Sequence, residues 1–247
     1  MSSRNYPGYF LTGILLCLFG AVCFSTKAIL VKLAYRETNV DAVSLLALRM
    51  IFSLPFFVIS AIVSSSQQSN VRFTGRQWLQ VAIIGCLGYY VSSLLDFLGL
   101  QYISAGMERL ILFIYPTLVV MISAIVFKTR IRPVQWLALA ITYGGLVVAF
   151  AGEADIVSAD KDFYTGAFLI FACAITYASY IVGSGRLIPV LGAAKFNSYA
   201  MTFACIGVLI HFFITNGNSL LHYDFSVYGY GLLMALLSTV VPSYLIS

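Results

Sequence analysis

Residues 9–34 read YFLTGILLCLFGAVCFSTKAILVKLA, with Lys27 and Lys32 as the only ionic side chains. The apolar h-region of a cleavable signal peptide covers about 7–15 residues, so this run is too long for one. It is long enough to cross a bilayer, which takes about 20 apolar residues. We read it as a retained membrane span. It also decides the fold class. In lipid the backbone must satisfy its own hydrogen bonds, so a crossing segment is a helix or part of a closed barrel. Unbroken apolarity selects the helix, because barrel strands alternate over about 10 residues.

Working outward, seven further runs have the same character: 43–63, 78–100, 106–127, 134–151, 164–185, 196–215 and 228–247. Short polar stretches separate them, among them Lys128-Thr129-Arg130-Ile131-Arg132-Pro133. The expected fold is an all-α integral membrane protein of about eight transmembrane helices. Composition agrees. Of 247 residues, 61% are apolar and 9% charged, and the mean hydropathy is +0.95. Soluble domains show roughly 45–50% and about 25%. Too few ionic groups exist to cover a water-facing surface, which excludes a soluble enzyme, a disordered chain and a nucleic-acid partner. The partner is the lipid bilayer. Cys17, Cys23, Cys86, Cys173 and Cys205 all lie in apolar runs without a CxxC pair. They read as buried small hydrophobes, not as a disulfide frame or metal site.

Charge sets the orientation. With a cytoplasmic N-terminus, the inner segments carry Arg4, Arg72, Arg76, Lys128, Arg130, Arg132, Arg186 and Lys195, and no acid. The outer connections then carry Arg36 and Lys161, with Lys32 at the membrane edge, and the acids Glu37, Asp41, Glu153, Asp155, Asp160, Asp162 and Asp224. The positive-inside rule favours this arrangement and a cell inner-membrane location.

The chain also shows weak internal similarity. Thr12-Gly13 and Thr165-Gly166 open the first and sixth runs, about 153 residues apart, and Gly75 and Gly85 fall on Tyr228 and Ser238 at that spacing. Five spans per copy would turn the second copy upside down, as in many secondary transporters. The domains expected are a first five-helix repeat over 9–151, an extracytoplasmic acidic loop over 152–163, and a second, incomplete repeat over 164–247. Extending the spacing places the end of a complete second copy near about residue 304, so two further helices are expected beyond Ser247.

Four passages carry a family resemblance: Gly20–Lys27 (GAVCFSTK) with Lys32-Leu33-Ala34; Leu45–Met50 (LLALRM) followed by Pro55; Gly99–Gly106 (GLQYISAG) followed by Pro116; and Leu236–Pro242 (LLSTVVP). In order and spacing the chain resembles the EamA-type transporters of the drug/metabolite transporter superfamily. The resemblance implies ten helices in two inverted five-helix repeats with both termini cytoplasmic. It implies the movement of small metabolites, often amino acids, in many cases by export.

Charge inside a span is the best pointer to chemistry, because each such residue costs roughly 2.5–3.5 kcal/mol at the helix centre. The candidates for substrate contact or gating are Lys27, Arg49, Asp96, Glu108 and Arg109. All five fall in the outer half of the membrane. We expect Lys27 and Arg49 to pair with Asp96 or Glu108, or to neutralise a substrate carboxylate. For Asp96, Glu108 and Arg109 the plainer expectation is snorkelling to the headgroups. Tyr89, Tyr90, Tyr115, Tyr177 and Tyr180 lie mid-span and could wall a cavity, with ordinary helix packing as the competing reading. Pro55, Pro116 and Pro242 are candidate helix breaks. Gly85-x-x-Gly88, Gly144-Gly145 and Gly183-x-Gly185 read as close-packing points. His211 and His222 are isolated, which suits an interfacial role better than a metal site. No catalytic set, cofactor motif or metal site is present in this reading.

The function expected is transmembrane export of a small amino-acid-like, polar or aromatic metabolite by alternating access, driven by a coupling ion or by exchange. Beside the bilayer and a small-molecule substrate, the partner considered is a second copy of the chain, as a homodimer. The rivals are a truncated non-transporting fragment, a membrane-embedded enzyme and a channel.

Overall fold

The computed structural model describes residues 7–66, 72–128, 130–150, 161–217 and 219–246. Among them are eight helical rods and no strand. Helix α1 is Pro7–Glu37, α2 Ala42–Ser66 and α5 Pro133–Phe150. Helix α3 joins Gly75–Gly85, a π segment Cys86–Val91 and Ser92–Tyr102; α4 joins Ala105–Leu112 to Tyr115–Phe127. Helices α6 and α7 are Lys161–Leu191 and Ala193–Thr215. Helix α8 joins Phe225–Ala235, a second π segment Leu236–Val240 and Val241–Ile246. Seven rods are long and apolar enough to cross a membrane, and α5 is a shorter apolar helix. The fold is thus an all-α multi-pass membrane bundle. Most of the expected 152–163 acidic connection lies outside the described residues, as does Arg4.

The helices start and stop for local reasons. Asp41 precedes α2, and its Oδ1 accepts the Val43 and Ser44 amides at 3.0 Å each. Thr74 and Gln77 form a reciprocal capping box on α3, satisfying amides that have no helical partner. Ser104 caps α4 by accepting from the Met107 amide. Gly192, at φ +83°, is the whole connection between α6 and α7. A left-handed φ suits glycine best. The expected end of this span at residue 185 is too early: α6 continues past Arg186 to this glycine.

The centre is α2 against α7, with α8 wedged between α1 and α2, and α3 packed on both α6 and α7. Helix α4 lies on α6, and α5 flanks α4. Between residues 44 and 50, α2 is buried on every side, whereas α1 buries the stripe Gly20, Cys23, Lys27, Ala28, Val31 and Ala34. Lipid offers no hydrophobic drive for helix association, so small residues that admit close backbones matter more. A Cβ at Gly85 of α3 would lie 2.6 Å from the Ala200 carbonyl oxygen of α7. One at Gly231 of α8 would lie 2.9 Å from Leu48 Cβ of α2.

Some expectations fail. Around Gly144, Gly145 and Gly185, no atom lies within 4 Å of an added Cβ, so they are not packing points. Pro55 does not break α2: the helix runs through it, with the proline ring exposed on the surface. Pro116 does follow a break, a turn at Phe113-Ile114, and occupies the first turn of the next segment, where a missing N–H costs nothing. Pro242 lies two residues past the end of the π segment of α8, after Val241.

Candidate substrate site in the bundle core

Three segments deliver the charges. Lys27 lies on the buried stripe of α1, about 15 Å from the Glu37 end at 1.5 Å per residue. Asp96 is in the last two turns of α3. A two-residue connection, Ile103-Ser104, then reverses the chain into α4, which returns Glu108 beside Asp96. Glu108 sits in the first turn of α4, where the helix dipole favours an acid.

Lys27 Nζ lies 2.7 Å from Asp96 Oδ2, and Arg109 Nε lies 3.3 Å from Glu108 Oε2. Arg109 also donates to the Ser25 carbonyl at 3.2 Å, tying α4 to α1. Asp96 and Glu108 are fully buried and Lys27 is 6% exposed. The two acids therefore do not snorkel; they are held inside by their cations. The two carboxyls also lie within hydrogen-bond reach of each other, so both ion pairs and this carboxyl–carboxyl contact form one cluster. Cys173 of α6 is buried within electrostatic reach of all four charges.

Arg49 of α2 is placed differently. It is 3% exposed and contacts neither acid within ion-pair distance. Its Nε donates to Thr239 Oγ1 at 2.6 Å, in the π segment of α8, and its guanidinium carbon stands 5.7 Å from the Phe97 ring centroid. Nη1 has no hydrogen-bond partner.

Four of the five tyrosines meet. Tyr89, in the π segment of α3, hydrogen-bonds the Tyr180 hydroxyl at 2.7 Å and donates to Asn197 Oδ1 at 3.0 Å. Tyr180 stacks on Tyr177 at 6.0 Å, and Tyr177 meets Tyr115 edge-on at 5.4 Å. Tyr90 is separate. It faces the His211 ring at 5.8 Å and packs over Gly207. The π segment of α8 thus brings Thr239 to Arg49, and Tyr89, in that of α3, lies within electrostatic reach of the same guanidinium. Single π turns occur frequently at functional sites.

Thr239, Asn197 and Phe97 carry no signal of a site role in the sequence, and Cys173 reads there only as a buried small hydrophobe. Thr239 stood inside the quoted LLSTVVP passage, but nothing in the residue type separated it from other helical threonines. An open groove of about 610 Å³ runs along the α1 and α3–α4 edge, walled by Ile29, Lys32, Tyr35, Arg36, Gln101 and Ser104. Lys27, Arg49, Asp96 and Glu108 do not line it. The groove and the charged core are thus lined by different residues. Beside the groove, Lys32 and Tyr35 tie α1 to α3 by donating to the Leu100 and Phe97 carbonyls.

Two polar latches hold α2 to α7. At one end Ser60 bonds Ser198, and Ser65 bonds Tyr199, both at 2.7 Å. At the other, Asp41 Oδ2 accepts from Asn216 and Tyr223 at 3.0 Å each. Burial pushes the Asp41 carboxyl up. The hydrogen bonds from Ser44, Tyr223 and Asn216 outweigh it and hold the carboxyl below the usual carboxylate range. A lowered native value means the stabilisation is present above the unfolded value of about 3.9 and is lost as pH falls through the native one. We therefore expect Asp41→Ala to unfold at lower temperature than the parent at pH 7. Melting in detergent should show the gap narrowing below about pH 4; a gap independent of pH would contradict the latch.

Comparison with known proteins places this arrangement. The chain is 28% identical over 235 residues to the uncharacterized transporter YcbK of Bacillus subtilis (strain 168), covering 93% of this chain and 74% of that protein. A solved crystal structure superposes with a TM-score of 0.66 over 95% of this chain and 78% of its own, at 16% identity, which shows a shared fold. The profile of the EamA-like transporter family matches residues 11–151. Spanning more than half of the chain, from α1 through α5, that match makes this protein a member of the EamA-like transporter family.

Proposed function

We propose that this membrane transport protein is a secondary exporter of a small polar or aromatic metabolite of about amino-acid size. The carrying observation is the charged core: two buried acids ion-paired with Lys27 and Arg109, and a buried Arg49 without an acid among the described residues, gathered from α1, α2, α3 and α4 in an apolar bundle. Charges in a membrane interior are costly and are retained where a path or site needs them.

Alternating access would come from rocking one half of the bundle against the other, parting one α2–α7 latch while the other holds. An inverted-repeat organisation is supported by paired features. Helices α1 and α6 are each 31 residues long, and α3 and α8 each carry a π segment at mid-length. The loop charges support a cytoplasmic N-terminus in a cell inner membrane. That orientation puts Asp41 and the ion cluster toward the outer side. The energy source in this reading is an ion gradient or exchange, with the five charges as the groups an ion would meet. A homodimer is compatible with this account.

Proteoliposomes filled with a ¹³C-labelled small-molecule extract test the proposal. Mass spectrometry of the external medium should find a few solutes released only when the protein is present. Arg49→Ala should lower their release roughly tenfold or more, the weight of a charge-assisted hydrogen bond. Release equal to that of empty liposomes would overturn the reading.

A further inference from the structure

We infer that the bundle core holds a site for a monoanionic carboxylate, and that Arg49 is the residue that binds it. This rests on the transport reading and names its substrate class. The argument is one of matched and unmatched charge. Asp96 is paired with Lys27 at 2.7 Å and Glu108 with Arg109 at 3.3 Å. Arg49 has no acid within 4 Å among the described residues, yet it is as deeply buried as the acids.

A guanidinium carries five N–H donors. One, on Nε, is used on Thr239, and Nη1 has no partner. The Phe97 ring at 5.7 Å offers a quadrupole, which attracts a cation but cannot accept the fork of hydrogen bonds that a guanidinium makes. The group that answers both the unmatched charge and the free N–H pair is a carboxylate, which accepts a guanidinium in parallel hydrogen bonds.

The surroundings narrow the class further. One unmatched cation calls for one negative charge, so a dianion would leave a carboxylate unneutralised in the apolar core. A zwitterion would bring an ammonium that needs an acid of its own, and both core acids are already engaged, with their cations and with each other. Arg49 is anchored on a helix buried all round, and Thr239 fixes its Nε from the π segment of α8. The fork is therefore held in place before the ligand arrives, which reduces the ordering cost of binding.

Thermal unfolding of the purified full chain in detergent tests this. The probes are acetate, benzoate and phenylacetate, each compared with its neutral amide and with L-phenylalanine, at one ionic strength set by chloride. At least one carboxylate is expected to raise the melting temperature in a saturable way, with its amide and the zwitterion at least roughly tenfold weaker. Arg49→Gln should abolish the response. Arg49→Lys, which keeps charge but loses the fork, should weaken it roughly tenfold and serves if the glutamine variant does not fold. Carboxylates no better than their amides, L-phenylalanine equal to phenylacetate, or a response that survives Arg49→Gln would overturn the inference. If proteoliposomes release neutral or zwitterionic solutes while the carboxylates do nothing, the transport reading stands and the monoanion site falls. If nothing is released, the transport reading falls on its own.

Discussion

Asp96→Ala is expected to cost the bundle about 3–5 kcal/mol, the usual penalty for removing one partner of a buried ion pair. The reason lies with the residue left behind. Lys27 is 6% exposed and its Nζ has Asp96 as its ion-pair partner. Stripped of it, the ammonium keeps its desolvation cost and loses its compensation. Snorkelling is a poor escape, because Lys27 lies on the stripe of α1 that faces α3 and α8 rather than lipid. Folded yield and melting temperature in detergent should both fall. Lys27→Met combined with Asp96→Leu should recover most of the loss, since replacing both charges by apolar groups of similar volume is often neutral. A single variant as stable as the parent would show that the pair is solvated, against the burial described here.

Gly85→Val is the second large effect expected. A Cβ at Gly85 would stand 2.6–2.9 Å from the carbonyl oxygen, Cα and carbonyl carbon of Ala200. These are backbone atoms of α7, so no side chain can swing aside. Alanine should cost about 1–3 kcal/mol by overpacking and valine more, spreading α3 from α7 where Tyr89 reaches Asn197. Ala200→Gly should fail to rescue either, because the obstruction is main chain. Gly144→Ala and Gly145→Ala are the controls. Nothing lies within 4 Å of either position, and replacing a mid-helix glycine should be neutral or gain up to about 1 kcal/mol. Equal losses at Gly85 and Gly144 would contradict the close α3–α7 crossing.

The spans were legible because membrane insertion acts on single segments: an apolar run long enough to cross announces itself without knowledge of its neighbours. The sequence ends the apolar run at Gly185 because the charge of Arg186 interrupts it, whereas α6 continues to Leu191. The true stop is Gly192, the one glycine there that needs a left-handed φ. The π segments were illegible, since one inserted residue barely disturbs a run that is apolar throughout. Pro242 hinted at the second, whereas Pro55 looked equivalent and left α2 unbroken.

At the site, the residue types were readable and the partners were not. Lys27, Arg49, Asp96 and Glu108 stood out as charge in lipid, but four charges at similar depth allow several pairings. The two-residue turn at Ile103-Ser104 decides where Glu108 lies, and the buried stripe of α1 decides that Lys27, not Arg49, takes Asp96. Thr239 and Asn197 are ordinary polar residues until the packing of α8 and α7 brings them to Arg49 and Tyr89.

The most direct test of the account follows solute release through the doubly neutralised protein, Lys27→Met with Asp96→Leu, in proteoliposomes matched to the parent for folded content. The account predicts a stable bundle whose release falls to the level of empty liposomes, because the charges serve the site rather than the fold. A stable double variant that releases the same solutes at the parent rate would contradict it.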